Sequence, residues 1–331
     1  MVDSKLSLNL CREPTVWNEL VSASPQSNIF CRTIFLNAMD VEYDLWLVED
    51  NGKPQVGAVI LKHNDEILAA PQPFTLYQGL LFAGAQLPPH NTAIWILEVT
   101  EALLKGLSER YDKLSFCMHH AAEDLRGIQW FHYHEPELGQ FKINLRYTGL
   151  IDLSTIIDFN DYFQTIRRNR QRDYRKSVSD NLKVEESEDI DMLDHLHKLT
   201  FERQGLPWDK RPQRLLRSIS EAALSNGFGQ LLSCRTKTGE PCSAALFLYD
   251  DHCAYSMFGA TDPQYRNTGS YTYVTLESIR LCKAMGLQTW DFLGINSPQR
   301  GDFKTSLNAL PKPYFEVEWN KQKESFAGCL K

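Results

Sequence analysis

Three short pieces of the chain decide its fold: GATDPQYRNTGS at 259–270, TWDFLG at 289–294 and FK at 303–304. The first piece is a loop rich in turn-forming residues, and the apolar residues after it recur at helical spacing. The second piece predicts a short strand that ends at Asp291, and Lys304 is a lone basic residue close behind it. The order of loop, helix, strand and cation predicts an α/β arrangement with a ligand site where the loop meets the helix.

The loop at 266–270 is the predicted ligand site. The first N–H groups of a helix have no partner within the helix, and they favour anions. Arg266 and Gly269 suit phosphate oxygens. We therefore predict that a phosphate-bearing donor is bound by Arg266, Asn267, Thr268, Gly269 and Ser270.

The composition is that of a folded globular protein. The 331 residues are 43% apolar and 23% charged, which suits two domains of ordinary size. The amino terminus lacks the apolar run of a signal peptide, and the uncharged stretch from Ile67 to Leu97 holds too many prolines and glutamines for a transmembrane helix. Eight cysteines without a Cys-x-x-Cys pair are typical of reduced thiols, so we expect a cytoplasmic protein.

Charge is distributed unevenly along the chain, whose net charge is −7. Residues 1–150 carry 11 basic and 18 acidic side chains, whereas residues 151–331 carry 24 of each. The second half is therefore the expected host of an anionic ligand. A protein with a general affinity for nucleic acid would be more basic, so we expect no such binding.

Two segments of the chain repeat one order of elements. NGKPQVGAVIL at 51–61 and TGEPCSAALFL at 238–248 each predict a glycine turn followed by an apolar strand. In both halves a helical pattern then follows an Asn-Thr pair, at 91–92 and at 267–268, and leads to a short strand. Chance produces such likenesses because hairpins and amphipathic helices are common. The alternative that we favour is two related α/β modules, at 1–150 and 151–331, with a substrate cleft between them.

Residues 165–176 read TIRRNRQRDYRK and predict a basic helix. Ile166, Tyr174 and Val178 have the spacing of its buried edge. Because guanidinium groups suit phosphate geometry, Arg167 and Arg168 are candidates for substrate binding. The alternative is a solvated helix face without a ligand.

In this order the pieces resemble the Fem-type (FemABX) aminoacyl- and acyltransferases of the GNAT superfamily. The resemblance is specific over about 160–305 and looser over 27–150. The matching pieces are TIRRNR at 165–170, LTFERQG at 199–205, GA at 259–260, YRNTGS at 265–270, WDFLG at 290–294 and FK at 303–304. The resemblance implies two tandem GNAT-like modules, each a mixed and mostly antiparallel sheet flanked by helices. It also implies acyl-coenzyme A or aminoacyl-tRNA as co-substrate, with no tightly bound cofactor.

Two positions depart from the family pattern. The usual Phe-Lys-x-x-Phe-Gly is FKTSLN at 303–308, and the bulky Tyr271 follows the loop where coenzyme A usually passes. The charged heptads of the helical arm found in some tRNA-using members are also lacking in this sequence. The net negative charge and the lack of a helical arm favour a thioester donor. Tyr271 favours the acceptor end of an aminoacyl-tRNA instead.

The resemblance implies acyl transfer to an amine without an acyl-enzyme. Lys304 is then the predicted catalytic cation, which stabilises the oxyanion or binds donor phosphate, and the alternative is an exposed lysine after a loop. Asp291 is predicted to orient the amine or accept its proton, and the alternative is a cap or an ion-pair partner. Main-chain N–H groups near 256–259 are predicted to hold the donor carbonyl. Tyr77, on a proline-rich loop, joins Arg167 on the acceptor side.

A metal site is the minor alternative for the first half. Its candidate ligands are Cys117, His119, His120, His132 and His134. His132 and His134 alternate as they would in a strand, yet none of these residues stands at a recognised zinc spacing. We therefore predict no metal.

Two functions remain open from the sequence. The first is an N-acyltransferase that acts on an amine of a cell-envelope precursor, such as an amino-sugar nucleotide or a peptidoglycan-type intermediate. The second is a catalytically silent two-module protein that binds a nucleotide-linked or phosphate-bearing ligand. The altered Phe303-Lys304 motif and Tyr271 favour the second.

Overall fold

The computed structural model describes residues 6–64, 66–84 and 87–322, and it divides the chain into two compact units. Of the described residues, the first unit comprises 6–36, those of Val41–Arg146, and 314–322. The second comprises Asn37–Asp40 and Tyr147–Pro313. The sequence predicted a boundary at 150 and an uninterrupted second module, whereas here the chain returns to the first unit at its end.

The first unit consists of strands and the helices that pack on them. The strands are β1 (Leu6–Leu10), β2 (Glu42–Asp50), β3 (Lys53–His63), β4 (Glu66–Ile67), β5 (Leu80–Phe82) and β6 (Lys113–Met118), and the helices are α1 (Pro14–Ala23), α2 (Thr33–Leu36), α3 (Pro89–Ser108) and α4 (Arg126–Gln129). Strands β1 to β4 pair antiparallel in chain order, and β5 pairs antiparallel with β3. The buried face of α3, which includes Leu103 and Leu107, packs into the core of this unit.

The second unit is organised around a sheet in the order β7-β12-β11-β10-β9-β8. Its elements are β7 (Lys142–Asp152, which begins in the first unit), α5 (Phe159–Thr165), α6 (Arg168–Ser179), β8 (Lys183–Ser187), α7 (Ile190–Arg203), α8 (Lys210–Ser225), β9 (Gly229–Arg235), β10 (Pro241–Tyr249), β11 (Cys253–Thr261), α9 (Ser270–Ala284), β12 (Thr289–Asp291) and α10 (Pro298–Thr305). The last strand, β13 (Leu310–Asn320), pairs with β6 over Phe315–Asn320. Only the β11–β12 pair is parallel among the strand pairs of this sheet. The predicted mixed and mostly antiparallel sheet flanked by helices is therefore confirmed.

The core of the second unit lies where α9 crosses the sheet. Val274 and Ile279 of α9 pack in one apolar cluster with Ala245 and Phe247 of β10 and with Trp290 of β12. These two strand residues alternate along β10, as expected for one face of a sheet. The helix therefore fixes the position of the loop before it and the strand after it.

Several predicted boundaries differ from the structure. Asn91 and Thr92 lie inside the first turn of α3, because Pro89 starts the helix two residues earlier. Val178 is 48% exposed, so it is not part of the buried edge of α6. Lys304 lies on α10, a helix that begins with Pro298 and that the sequence analysis did not predict.

The cysteines and the uncharged stretch can also be compared with the expectations from the sequence. Seven cysteines are unpaired thiols in the described part of the chain, and Cys329 lies outside the described residues. The stretch from Ile67 to Leu97 contains β5 and the first turns of α3. No described helix has the length and apolar character needed to cross a bilayer.

Candidate active site in the second unit

Strands β11 and β12 separate after a short parallel pairing. They pair over Cys253–Tyr255 and Thr289–Asp291, and β12 then ends. Strand β11 continues to Thr261, so its backbone from residue 256 has no β12 neighbour. Main-chain N–H and C=O groups at the edge of a strand each need a partner, so such an edge is a candidate place for a ligand.

A β-bulge lies on β11 beside this opening. Phe258 is opposite Leu246 of β10 and Ser256 is opposite Phe247, which leaves Met257 without a cross-strand partner. A bulge turns the backbone and re-aims its polar groups, and bulges are common next to active sites. The sequence predicted main-chain donors at 256–259 by analogy alone, and composition gave no sign of the bulge.

Asp291 ends β12 and organises the turn that follows. Its side chain is fully buried, and its Oδ1 atom accepts hydrogen bonds from the Leu293 N–H at 2.7 Å and the Thr148 hydroxyl at 2.5 Å. The same hydroxyl accepts from the Gly294 N–H at 3.2 Å. Leu293 has a φ of 53° and Gly294 a φ of 91°, so the chain reverses through a left-handed conformation that a leucine adopts only at some cost. In this geometry Asp291 holds the turn and does not face solvent.

Lys304 lies over the turn that Asp291 holds. Its ammonium group donates to the carbonyl oxygens of Phe292 at 2.6 Å and of Gly294 at 2.7 Å. Burial lowers the pKa of Lys304 to about 8, while the charge of Asp291 opposes that shift and the charge of Arg300 adds to it. Two of the three ammonium protons are thus used by the turn, and the third is available to a ligand oxygen. The structure places this side chain inside the site.

Tyr271 packs against the same stretch of β11. A Cβ added to Gly259 would lie 2.1 Å from the Tyr271 hydroxyl oxygen, so only a glycine fits at 259 with the ring in this position. The Tyr271 ring is also 5.2 Å from the Phe303 ring, between centroids. The first helical residues of α9 and the end of α10 therefore meet beside the opening between β11 and β12.

The predicted phosphate loop is packed against α6. Gly269 has a φ of 82°, and an added Cβ would lie 2.3 Å from the Asp173 carbonyl oxygen. Lys176 donates to the Asn267 carbonyl at 2.7 Å, and Ser177 donates to the Thr268 carbonyl at 2.9 Å. Among the five predicted phosphate ligands, Arg266 and Asn267 are exposed, whereas Ser270 is only 1% exposed. Solvent thus reaches the start of the loop and not its end.

The arginines of the basic segment have different partners. Arg167 precedes α6 and forms an ion pair with Asp302 at 2.6 Å, whereas Arg168 is exposed. Arg170 donates to the Ser306 hydroxyl at 2.9 Å and lies 4.9 Å from the centre of the Phe303 ring. Part of the positive charge therefore ties α6 to α10, next to Lys304, and part of it faces solvent.

Tyr77 and the histidines belong to the first unit. The Tyr77 side chain is 1% exposed, and its ring lies 4.6 Å from that of His119 and 6.4 Å from that of Phe30. The predicted substrate-binding side chain is thus enclosed within its own unit. His132 and His134 lie in turns, so they do not share the face of a strand as the sequence suggested. In the described ranges, no three side chains of His, Cys, Asp or Glu are grouped as metal ligands.

The sequence matches one protein-family model over part of its length. Residues 160–305 match the acetyltransferase (GNAT) domain family, and this region contains β11, α9, β12 and Lys304. No curated protein shows significant sequence similarity to the chain. The family match thus falls on the elements that form the candidate site.

Solved structures resemble the chain over nearly its whole length. FemX gives a TM-score of 0.69 at 13% identity, covering 93% of this chain and 96% of its own. A tandem GNAT protein from the clavulanic acid biosynthesis pathway gives a TM-score of 0.55 at 9% identity, covering 97% and 100%. The C-terminal domain of a putative lysylphosphatidylglycerol synthetase from Agrobacterium fabrum gives 0.53 at 9% identity, covering 95% and 92%. The resemblance to Fem-type proteins is confirmed at the level of the fold, and together with the domain match it supports an acyltransferase.

Proposed function

We propose that the chain is an N-acyltransferase that transfers an acyl or aminoacyl group to an amine of a cell-envelope precursor. The observation that carries this proposal is the Lys304 ammonium group on the turn that follows β12, at the point where β12 ends and β11 continues. A cation and main-chain N–H groups together stabilise the oxyanion that forms when an amine attacks a carbonyl.

In the proposed reaction the amine attacks the donor carbonyl directly. A C–N bond forms, the C–S bond of a thioester or the C–O bond of an ester breaks, and the leaving group takes up a proton as the amine loses one. Lys304 stabilises the negative charge of the oxyanion by donating its third N–H to it. Asp291 acts as a positioning residue, because its buried carboxylate holds the turn that receives Lys304. Burial raises the pKa of Cys282 and Cys253, which suits these thiols poorly for nucleophilic catalysis.

The donor is proposed to lie on the α9 side, with Arg266 at the exposed start of the loop facing its phosphates. A GNAT domain generally implies acyl-coenzyme A as co-substrate. Tyr271 packs closely on Gly259 where coenzyme A usually passes, so the acceptor end of an aminoacyl-tRNA, which need not follow that path, is the second candidate donor. Arg167 and Arg168 are proposed to meet a phosphate of either substrate.

A cell-envelope acceptor is supported by the fold neighbours, which include FemX and a putative lysylphosphatidylglycerol synthetase. The acceptor we propose is an amino-sugar nucleotide or a peptidoglycan-type intermediate. The unpaired thiols of the described chain support a cytoplasmic location. The tight contact between Tyr271 and Gly259 also favours the alternative, a silent protein that binds such a ligand without transfer.

Transfer assays test the proposal. The purified chain is incubated with acetyl-coenzyme A or alanyl-tRNA, and with UDP-N-acetylmuramoyl-pentapeptide or a UDP-linked amino sugar as acceptor, and products are identified by mass spectrometry. We expect transfer from one donor, strong loss in Lys304→Ala, and normal rates in Lys312→Ala, which removes an exposed lysine. Absence of transfer from both donors would overturn the enzyme proposal, and tight acceptor binding without transfer would favour the silent binding protein.

A further inference from the structure

A groove runs along the exposed side of α3 in the first unit, and none of its lining residues belongs to the candidate active site. Its volume is about 810 Å³, which is in the range of ligand-binding pockets. One wall is α3, on which Leu97, Glu101 and Lys105 follow one another at steps of one helical turn. The other wall is the chain from Trp130 to Leu138. The proposed reaction therefore gives this groove no role.

Large aromatic side chains are exposed in the second wall. Trp130 is 48% exposed and Tyr133 is 64% exposed, and the ring of His134 meets that of Tyr133 edge-on at 5.2 Å. Neither the Trp130 indole N–H nor the Tyr133 hydroxyl forms a hydrogen bond within the described part of the chain. The guanidinium of Arg126 lies 5.5 Å from the centre of the Trp130 ring, so this ring already accepts a cation. Exposed Trp and Tyr side chains with unused polar groups are typical of surfaces that another molecule covers.

The aromatic wall is held in one conformation. His132 has a φ of 54°, a left-handed conformation that costs free energy in a residue other than glycine. Its Nδ1 atom lies 2.9 Å from the Gly139 carbonyl oxygen, which also accepts a hydrogen bond from the Trp319 indole at 3.1 Å. The His132 ring lies 3.8 Å from that of Phe131, a buried residue of the core. Strained backbone that contacts hold in place is found mainly at functional sites, and a rigid surface loses little entropy on binding.

The charge of the groove favours a cationic partner. Three carboxylates line it, from Glu101, Glu109 and Glu135, against the single ammonium group of Lys105. Glu101 and Glu135 have no ion pair in the ranges that the structure describes, and Glu109 has only a 4.0 Å contact with Arg110. Aromatic faces attract cations as well. A ligand that carries both positive charge and apolar surface is therefore complementary to both walls.

We propose that this groove binds a short peptide segment of another protein, one that carries lysine or arginine beside apolar side chains. From Leu97 to Ser108 the α3 wall is about 16 Å long at the usual helical rise, and about five extended residues cover that length. Cationic side chains of the segment pair with Glu101 and Glu135, and its apolar side chains lie on Trp130. A small amine would fill only one end of a groove of this length.

The test is binding of two blocked pentapeptides, Lys-Leu-Lys-Leu-Lys and Glu-Leu-Glu-Leu-Glu, measured by calorimetry. Wild type should bind the lysine peptide with a Kd below about 1 mM, more weakly as the salt concentration rises, and should not bind the glutamate peptide. We expect the Kd to rise about tenfold in Trp130→Ser and about three- to tenfold in the double variant Glu101→Gln with Glu135→Gln. Ile94→Ser and Glu98→Gln change exposed residues of α3 outside the groove and should leave the Kd unchanged.

Urea midpoints near that of wild type check that the variants fold, and Tyr133→Ser repeats the test at the more exposed ring. Equal binding of the two peptides, no binding, or equal losses in the controls would overturn the proposal. Three results would give the groove another occupant and overturn it too. Cadaverine binding as tightly as the lysine peptide indicates a small amine, a dimer lost in Trp130→Ser indicates a second copy, and tighter peptide binding after removal of residues 323–331 indicates the chain itself. The test requires no acyl transfer, so its outcome is independent of the proposed function.

Discussion

Both units contain a strand, a long helix and a second strand in succession. In the second unit the two strands separate and leave an opening, whereas in the first unit the chain closes the corresponding space. In the second unit α9 joins β11 to β12, which pair over three residues before β12 ends. In the first unit α3 joins β5 to β6, and the chain just before β5 closes on β6. The Cys117 N–H donates to the Gln78 carbonyl at 3.3 Å, and a Cβ on Gly79 would lie 2.8 Å from the Cys117 carbonyl oxygen.

The difference teaches that the repeated order of elements does not by itself make a site. An opening needs a strand that stops early, a turn that diverts the chain, and a cation that stays partly unsatisfied. The second unit has all three, at Asp291, Leu293 and Lys304. The match to the GNAT domain family covers residues 160–305, which contain this opening and leave out the closed counterpart.

The largest expected effect comes from removing the cation. Lys304→Ala should lower kcat by about 10²–10³-fold, the usual loss when one oxyanion donor is removed. It should also lower the free energy of unfolding by roughly 1–3 kcal/mol, because two carbonyl groups of the turn lose a charged donor. Steady-state kinetics and urea unfolding measure the two effects, with Lys312→Ala as control. A variant that loses stability but keeps kcat would make Lys304 a structural residue.

Two glycine substitutions compare the closed and the open strand pairs directly. Gly79→Ala forces a methyl group onto the backbone of Cys117 and Met118, which have no room to move, so it should destabilise folding by about 1–3 kcal/mol. Gly259→Ala meets the end of the Tyr271 side chain, which is able to rotate away. We expect a smaller loss of stability there and a larger change in kcat/KM. Urea midpoints and kinetics on both variants check this order, and equal losses would contradict it.

Sequence reasoning reached the local parts of this site. The loop before α9 and the end of β12 at Asp291 follow from residue type and order, because turns and helix starts are encoded locally. The separation of β11 from β12 is a property of long-range pairing, and so is the bulge at Met257. Neither the separation nor the bulge can be predicted from composition or hydrophobic periodicity.

The partners and the burial of individual side chains were also not evident from the sequence. Arg167 and Lys176 are alike as basic residues, yet Lys176 caps the carbonyl of Asn267 while Arg167 pairs with Asp302. His197 stands in an amphipathic helix like any other polar residue, and only the packing of Trp208 and Phe258 makes it a buried ring without partners. Such contacts join residues far apart in the chain, so no local pattern records them.

Lys304 also gives the open site a pH dependence. Its pKa is lowered to about 8 in the folded protein, so activity that needs the ammonium group should fall as the pH rises through 8. Its effect on stability has the opposite sign. Between pH 8 and the ordinary value of 10.5 the unfolded chain binds the extra proton, so the contribution of Lys304 to stability rises with pH.

The matching measurement is kcat/KM from pH 6 to 10 in wild type and in Lys304→Arg. A guanidinium keeps its proton throughout this range, so the residual activity of the variant should lack the alkaline fall. Titration of the acceptor amine affects both proteins equally and cancels in their ratio. An identical fall in both would assign the titration to another group.

The smallest effect is expected from a change in the turn that binds Lys304. The Thr148 hydroxyl is fully buried, donates to Asp291 and accepts from the Gly294 N–H, so it links the end of β12 to the left-handed turn. Thr148→Val keeps the shape but leaves that N–H unpaired, which should lower the free energy of unfolding by about 1–2 kcal/mol. Thr155→Val is the control, because its exposed hydroxyl donates to the nearby carbonyl of Asp152 and lies outside the turn.

If the turn positions Lys304, Thr148→Val should lower kcat several-fold while the KM of either substrate stays nearly constant. The reason is that the oxyanion forms only during reaction, so a displaced ammonium group weakens the transition state more than the bound substrates. A raised KM with normal kcat would instead show that the turn contacts a substrate itself. In that case the opening between β11 and β12 would serve substrate binding, and α10 alone would hold Lys304 in place.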